Sequence, residues 1–368
     1  MKELSLLIIC FFLVRCTKPG SVNPIVAESV IADSFQINNV QSLSEFLTFR
    51  RLNDSTLLGF DMQNAEFNYY IKKQGSSSFE RKTHLEVKPR HYLPGFFTDQ
   101  EGIYYTLDIN GPIYKYNKEL ELIDTLNPQY LLPYLKSEFK FFNYNYSPLI
   151  KHGDTIISAI VHKNANDFLL WTKEFAMMEY VQTGNLPPKV KCFMRKPANL
   201  KDYMQPWPSY CYVDNTLVAI YAPFDTVYTY NRQTGEEKKI ALDNANYRLP
   251  EISDSEKLSA TERPSYQTKY ALANFRYNSI FYNDATQHYV LIYVIPAESK
   301  DKDKALTFDD QPNYALVLDK KFNTLGHFRF ERSYLDFSNY FIYPGKGLAM
   351  PLYNPKGYES TQFYIYNF

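Results

Sequence analysis

The chain has 368 residues, and 45% of them are hydrophobic, so it is long enough to bury a large core. Lys plus Arg and Asp plus Glu number 40 each, and this zero net charge gives no electrostatic argument for nucleic-acid binding. Aromatic residues make up 17% of the chain, with 33 Tyr and 27 Phe, which favours β-sheet because tyrosine suits a pleated, half-buried surface.

Residues 1–15 have the features of a secretory signal peptide. Lys2 supplies a positive charge, and residues 4–14 form an apolar stretch that is too short to span a bilayer as a helix. The stretch ends at Arg15-Cys16, which resembles a lipoprotein signal with Cys16 as the acylated residue, although a small residue usually precedes that cysteine. The alternative is an ordinary cleaved signal, with Cys16 removed or left as a free thiol. We predict a flexible, lipidated tether over 16–24 and a folded domain over 25–368.

One pattern recurs through the rest of the chain: a strand rich in tyrosine and aliphatic residues, a short polar turn, and a second strand. Six occurrences are marked by Ile71-Lys72-Lys73, Tyr116-Asn117-Lys118, Tyr180-Val181-Gln182, Tyr230-Asn231-Arg232, Leu318-Asp319-Lys320 and Tyr366-Asn367-Phe368. Radial repetition of four-stranded blades explains this pattern best, so the predicted fold is all-β, a six-bladed β-propeller.

Each predicted unit has strands a to d, with strand a innermost. The predicted strands are 46–51, 56–61, 67–72 and 79–85 in unit one; 95–98, 103–109, 113–117 and 120–126 in unit two; 148–151, 155–162, 176–182 and 189–194 in unit three; 209–213, 216–221, 227–231 and 238–242 in unit four; 280–282, 289–295, 314–318 and 325–330 in unit five; and 340–343, 347–352 and 362–366 in unit six.

The sixth unit ends after its strand c, so a closed propeller must take its outermost strand from elsewhere. Residues 25–37 (IVAESVIADSFQI) have a strand-like composition and precede unit one. Pairing them with 362–366 would close the ring and remove two exposed sheet edges. We therefore predict a propeller that is closed by an N-terminal strand.

The long connections are not scattered. Four d-to-a connections (82–93, 127–147, 195–208 and 243–278) and two b-to-c connections (163–175 and 296–313) are long, and in a propeller both kinds emerge on one face. We call this the elaborated face, and the opposite face, made of a–b and c–d turns, the short-turn face. Long loops on a rigid scaffold often carry binding sites. Within 243–278, Ser253-Asp254-Ser255-Glu256 has capping-box spacing and predicts a helix over 257–262.

Motifs for catalysis, metals or cofactors are missing. None of the six histidines lies in an HxH or HExxH motif, no nucleophile elbow or phosphate-binding glycine loop occurs, and the acidic stretch 300–310 lacks the ligand spacing of an EF-hand. We therefore predict no metal site and no cofactor, and we identify no catalytic residue. Cys192 and Cys211 could form a disulfide in an exported protein or remain free thiols.

Aromatic and basic residues of the elaborated face are the best candidates for recognition, because tyrosine, tryptophan and arginine dominate binding hot spots. The predicted ligand-binding residues are Arg90, Tyr92, Trp207, Arg263, Tyr266 and Arg276. The alternative is that these side chains pack the loops against the core.

The leading interpretation is a non-enzymatic protein that binds a partner protein, a peptide or a glycan through the elaborated face. The second is a hydrolase or lyase with its site at the mouth of the central channel, and the third is a structural subunit of the envelope. Convergence of a carboxylate with another carboxylate, a histidine or an arginine would favour an enzyme.

Signal, tether, repeated units and N-terminal closure together resemble the six-bladed β-propeller lipoproteins of Bacteroidota, many of which are TolB-like propellers in domain-of-unknown-function families. The stretch 275–283 (FRYNSIFYN), followed by 287–291 (QHYVL), is similar to the strand-turn-strand segment before the fifth blade in that group. The resemblance covers the whole mature chain. It implies a propeller that a lipid anchors in the cell envelope, at the outer membrane, and it implies no catalytic motif.

Overall fold

The structure is a computed structural model. The residues it describes are 31–38, 47–61, 64, 66–87, 96–98, 103–107, 113–126, 139–142, 149–162, 175–183, 186–197, 199–200, 203, 208–254, 258–259, 261–298, 305–330, 341–343, 345–351 and 360–368. The predicted signal peptide, the tether and Cys16 lie outside these residues.

Units one and two each contain four antiparallel strands in chain order. In unit one they are β2 (Leu47–Asn53), β3 (Thr56–Asp61), β4 (Glu66–Lys72) and β5 (Ser78–Glu86). In unit two they are β6 (Phe96–Thr98), β7 (Tyr104–Leu107), β8 (Ile113–Tyr116) and β9 (Leu122–Leu126). The strand β1 (Ile31–Asn38) precedes unit one in the chain.

Unit three has an innermost strand in two pieces. Its strands are β10 (Phe139–Phe142), β11 (Ile150–His152), β12 (Thr155–His162), β13 (Phe175–Thr183) and β14 (Leu186–Arg195). Both β10 and β11 pair antiparallel with β12, where Phe142 lies opposite Ala159 and Ile150 opposite Ile157. The sequence pattern predicts β11, as the strand 148–151, but it does not predict β10.

Units four and five are again four-stranded and follow chain order. Unit four contains β15 (Pro208–Val213), β16 (Thr216–Tyr221), β17 (Thr226–Asn231) and β18 (Glu237–Ala241). Unit five contains β19 (Arg276–Asn283), β20 (His288–Val294), β21 (Asn313–Leu318) and β22 (Thr324–Arg329). The hairpin between β15 and β16 turns at Asp214 and Asn215, which both have positive φ, as a two-residue hairpin requires.

A helix, α1 (Arg263–Ala273), lies in the connection between β18 and β19. The prediction of a helix over 257–262 is wrong, because the described residues of that segment are turn and bend. Pro264 stands in the first turn of α1, where proline is tolerated since its missing N–H has no partner there. Among the described residues, no helix has the length and the apolar character needed to span a membrane.

The last unit contains β23 (Phe341–Tyr343), β24 (Gly347–Pro351) and β25 (Ser360–Tyr366). The strand β1 completes it, because β1 pairs antiparallel with β25 from Ile31 opposite Tyr366 to Asn38 opposite Ser360. This pairing confirms the predicted contact between the two ends of the domain. On its other edge, β1 pairs in parallel with β5 over Gln36–Asn38, so unit one and the last unit form one continuous sheet of eight strands.

The core lies between neighbouring sheets. One cluster joins unit four to unit five and includes Ile220, Leu291 and Leu316, and another surrounds β1 and includes Phe35, Phe49 and Phe363. Further clusters join unit one to unit two, unit three to unit four, and unit five to the last unit, so the arrangement is mostly β and propeller-like.

Candidate functional site

Two connections of the elaborated face converge on the last turn of α1. The first is the connection that carries α1, between β18 and β19, and the second joins β20 to β21. Both belong to the part of the chain from which the sequence predicts a binding site.

The first connection is tied to α1 through Glu251. Its backbone N–H donates to Asn274 Oδ1 at 2.8 Å, and its carbonyl accepts from the Tyr270 hydroxyl at 2.5 Å. Asn274 in turn donates from Nδ2 to the Tyr270 carbonyl at 2.9 Å. These three bonds hold the segment around Glu251 against the end of the helix.

The second connection is tied to the same turn. Gln311 Nε2 donates to the Ala271 carbonyl at 2.9 Å, and the Ala297 N–H donates to the Leu272 carbonyl at 2.8 Å. The last carbonyls of a helix have no partner within it, so these bonds satisfy groups that the helix leaves open. Both connections therefore share one anchor.

Arg276 reinforces this anchor. Its Nη1 donates to the Ala271 carbonyl, its Nε donates to Asn278 Oδ1 at 3.1 Å, and its guanidinium carbon lies 5.9 Å from the ring centroid of Phe308. Burial lowers the pKa of Arg276 to about 10, which leaves the group charged at neutral pH. The side chain thus acts within the fold, at the base of both connections.

The other described members of the predicted ligand-binding set have similar contacts. Tyr266 accepts a hydrogen bond from the Asp254 N–H at 3.0 Å, and Arg263 Nε donates to the Leu258 carbonyl at 3.2 Å. Both residues lie on α1 and hold the segment that precedes it. Arg90, Tyr92 and Trp207 lie outside the described residues. A role of the whole set in ligand binding stays a prediction.

Exposed apolar side chains stand on the same two connections, and we call them the apolar patch: Leu249, Ile252, Leu306 and Phe308. Their exposed fractions are 62%, 68%, 38% and 49%. Leu249 and Ile252 flank Glu251, and Phe308 lies beside Arg276, so both halves of the patch are fixed at the last turn of α1. The sequence did not predict these residues as a site, because three of the four are aliphatic and binding hot spots are expected at tyrosine, tryptophan and arginine.

Other exposed apolar residues of the described chain lie on strands. They are Ile71, Leu85, Leu122, Ile123 and Leu325. Four of these five lie on the outermost strands β5, β9 and β22 of three different units. Scattered exposed apolar residues are ordinary, whereas these four stand on two loops that share one anchor.

A polar network lies below the patch, between units four and five. The Tyr277 hydroxyl donates to Asp225 Oδ1 at 2.5 Å and accepts from Asn244 Nδ2 at 2.8 Å. The Asn244 backbone N–H also bonds to the Asp225 carboxylate. Burial raises the pKa of Asp225 to about 6, against the opposing effect of the donors Tyr277 and Asn244. The carboxylate therefore fastens the start of the α1 connection to unit five.

The network continues into unit five. Asn246 Nδ2 donates to the Tyr293 hydroxyl at 2.7 Å, and that hydroxyl lies 3.0 Å from His327 Nδ1. Burial lowers the pKa of His327, which favours its neutral imidazole. Asp225 and His327 are the acidic and basic ends of this network, and Tyr277 and Tyr293 lie between them. Two tyrosine hydroxyls separate the Asp225 carboxylate from the His327 imidazole. The network therefore suits the positioning of a loop better than proton transfer between these two groups.

No group of three or more His, Cys, Asp or Glu side chains in the described part of the chain is arranged to hold a metal ion. Cys192 and Cys211, which the sequence left open between a disulfide and two thiols, are both free. Burial raises the pKa of the Cys211 thiol, which makes it unreactive.

No family model matches the chain, and no curated protein is similar to it in sequence. Solved structures are similar in fold. A member of the DUF4221 family from Bacteroides vulgatus ATCC 8482 is 14% identical, with a TM-score of 0.65 over 92% of this chain and 97% of that chain. A predicted exported protein from Bacteroides fragilis NCTC 9343 is 13% identical, with a TM-score of 0.55 over 93% and 97%. At these identities the likeness shows the fold alone: this chain shares a mostly β, propeller-like architecture with both Bacteroides proteins over nearly its whole length.

Proposed function

We propose that the chain is a binding protein of the cell envelope that docks a partner protein through the apolar patch. The observation that carries this proposal is the common anchor of the patch. Leu249, Ile252 and Phe308 are exposed by about half or more, yet hydrogen bonds to α1 fix the loops that carry them. A preorganised apolar surface loses little conformational entropy on binding.

The chemistry of the patch favours a protein over a glycan. Sugar recognition uses flat aromatic faces with several hydrogen-bonding groups, whereas three of the four patch residues are aliphatic. The neighbouring exposed residues Arg248 and Glu251 would form a polar rim. An apolar centre with a polar rim is the usual anatomy of a protein interface.

We further propose a six-bladed ring over 25–368 that β1 closes, and a lipid on Cys16 that holds it at the outer membrane. The pairing of β1 with both β25 and β5 supports the ring. The similarity to a predicted exported protein of Bacteroides fragilis supports an envelope location. Metabolic labelling with a fatty-acid analogue tests the lipid: Cys16→Ser should abolish both the label and membrane retention, and a variant that keeps either would refute it.

The docking proposal is tested by affinity capture from detergent-solubilised envelope, followed by measured binding of the captured partner. Ile252→Ser should weaken that binding by about thirtyfold, the effect of removing a 2 kcal/mol interface anchor. The matched control is Leu325→Ser, since Leu325 is also exposed but lies on an outer strand. Equal affinity of the two variants would place the interface elsewhere.

A further inference from the structure

A second candidate site lies on the short-turn face, where β1 enters the fold. The parallel ladder between β1 and β5 covers only Gln36–Asn38 and Ser78–Glu80. Ahead of it, β1 separates from unit one, with residues 33–35 on one side and the turn 73–77 on the other. A wedge-shaped cavity of about 640 Å³ opens between them. We call it the seam pocket.

The seam pocket has an apolar base and polar walls. Phe35, Phe79, Tyr343 and Ile365 form the base, and each is less than a tenth exposed. The remaining lining residues, which form the walls, are polar or glycine: Asp33, Ser34, Ser55, Lys72, Lys73, Gln74, Gly75, Ser76 and Ser77. An apolar floor with a few converging polar groups is typical of small-molecule sites, whose volumes are on the order of 300–1,000 Å³.

The edge of β1 is open within this pocket. The last ladder bond is donated by the Gln36 N–H to the Ser77 carbonyl, at 3.1 Å. Ser34 lies two residues upstream, so its backbone groups point toward the same edge. There the Ser34 N–H is satisfied by Asp33 Oδ1 at 2.8 Å, in place of a strand partner.

Some charged side chains of the walls already have a partner of opposite charge, and others do not. The Asp33 carboxylate accepts a hydrogen bond from Lys346 Nζ at 2.7 Å, which lowers the pKa of Asp33, and Lys73 Nζ lies 3.8 Å from Glu80. Lys72 makes no side-chain hydrogen bond or ion pair within the described part of the chain. Its positive charge contributes to the lowered pKa of Asp33, but the ammonium group has no partner at hydrogen-bond distance among the described residues and can bind an anionic ligand.

We propose that the seam pocket binds a small acidic saccharide. Lys72 would bind its carboxylate, the hydroxyls of Ser34 and Ser77 would bond to its hydroxyl groups, and the Asp33 carboxylate would accept from them. The apolar base would border the sugar without stacking on it, because the Phe35 ring already stacks on Phe363 and the Arg51 guanidinium lies 3.9 Å over the Tyr343 ring. A phosphate group fits less well, because its second negative charge would need another cation, whereas Lys73 lies 3.8 Å from Glu80 and Lys346 binds Asp33.

A ligand in this position would bridge β1 and the turn 73–77, which the native ladder leaves apart. Binding to the folded state alone stabilises it. A bound saccharide should therefore slow hydrogen exchange at residues 33–36, and this effect is separate from any event at the apolar patch on the opposite face.

The test uses the full chain in detergent and isothermal titration with three probes: a disaccharide that contains glucuronic acid, its neutral glucose counterpart, and inorganic phosphate. The acidic disaccharide should bind most tightly and protect the amides of 33–36 from exchange. Lys72→Gln should weaken it by about tenfold, the effect of losing one charge-assisted hydrogen bond, and leave the neutral sugar unchanged.

Lys321→Gln is the matched control, because Lys321 is an exposed lysine in the turn between β21 and β22. It should leave all three affinities unchanged. The proposal is overturned if the acidic disaccharide gives no heat at millimolar concentration, if phosphate binds as tightly, or if Lys72→Gln and Lys321→Gln behave alike.

Discussion

Two junctions between neighbouring sheets are built from different interactions. At the junction of β1 with β25 and β5, Phe35 stacks on Phe363 with ring centroids 5.0 Å apart, and it meets Phe79 edge-on at 5.4 Å. At the junction of units four and five, apolar packing is accompanied by hydrogen bonds: the Ile280 N–H donates to Ser209 Oγ at 2.9 Å, and Tyr277 donates to Asp225.

The two junctions therefore have different roles: the aromatic junction stabilises the fold, and the polar junction positions a loop. Apolar burial is strong but not directional, so the aromatic junction holds the two ends of the chain together without fixing a loop. Hydrogen bonds are directional, and those around Asp225 fix the connection that carries the apolar patch. Changes at the first junction should therefore alter global stability, and changes at the second should alter loop order.

The largest effect is expected for Phe363→Ala. Phe363 is fully buried at the aromatic junction, so its removal should lower the free energy of unfolding by about 3–5 kcal/mol. Equilibrium denaturation with urea measures the change. Leu325→Ala, at a side chain that is 46% exposed, is the control and should change stability by no more than about 0.5 kcal/mol. Similar values for the two variants would contradict this account of the closure.

A smaller effect is expected for Gly347→Ala, at the first residue of β24. A Cβ atom at Gly347 would lie 2.1 Å from the Tyr366 carbonyl oxygen, which forces β24 away from β25. Crowding of this kind costs about 1–3 kcal/mol beyond the strain of positive φ. Gly345→Ala is the comparison, because Gly345 also has positive φ but no atom within 4 Å of the added Cβ. The difference between their unfolding midpoints reports the clash together with the stricter backbone of Gly347, whose φ is 128° against 70° at Gly345, and equal midpoints would exclude both effects.

Tyr277→Phe tests the polar junction. The variant leaves the buried Asn244 amide without its acceptor and removes one of the two donors to Asp225, the other being the Asn244 backbone N–H, which should cost about 1–3 kcal/mol. Hydrogen exchange should also accelerate at residues 244–252, while the amides of β1 stay protected. Tyr266→Phe removes only the acceptor of the exposed Asp254 N–H and should leave 244–252 unchanged. Uniform acceleration throughout the chain would mean that Tyr277 acts on global stability.

The smallest effect concerns pH. Burial raises the pKa of Asp225 to about 6 in the folded state, above its value of about 4 in an unfolded chain, so the folded state binds the proton more tightly. The stability from this group is fully present below about pH 4 and is lost as pH rises through 6. Asp225→Asn should flatten the wild-type stability profile in this window. Parallel profiles of variant and wild type would contradict the shift.

The strand order was predictable because its signals are local. Short polar turns mark the hairpins within the units. The last unit has no outer strand of its own, and this identifies β1 as the strand that completes it. The predicted strand 25–37 corresponds to Ile31–Asn38 in the described part of the chain. The first half of the split strand, β10, was missed because it stands in a long connection that carries no turn signal beside it.

The helix and the apolar patch depend on tertiary contacts, which a single sequence does not display. α1 has no side-chain cap at Glu262, so Pro264 in its first turn is the signal for its start, and its end is held by Asn274 and Arg276. Leu249 and Ile252 look like core residues in the sequence, and only the fold exposes them. Of the predicted ligand-binding residues, those described by the structure support the loops that present this patch.

The pairing of β1 also determines how the molecule would respond to mechanical load. Ile31, where β1 begins, lies opposite Tyr366, close to the last residue of the chain. A force that pulls Ile31 and Tyr366 apart would break the antiparallel pairs between β1 and β25 one after another. A force between the start of β1 and unit one would instead load the parallel pairs with β5 together, in shear. The direction of the force on the N-terminal segment thus determines whether β1 separates from its neighbouring strands at low force or at high force.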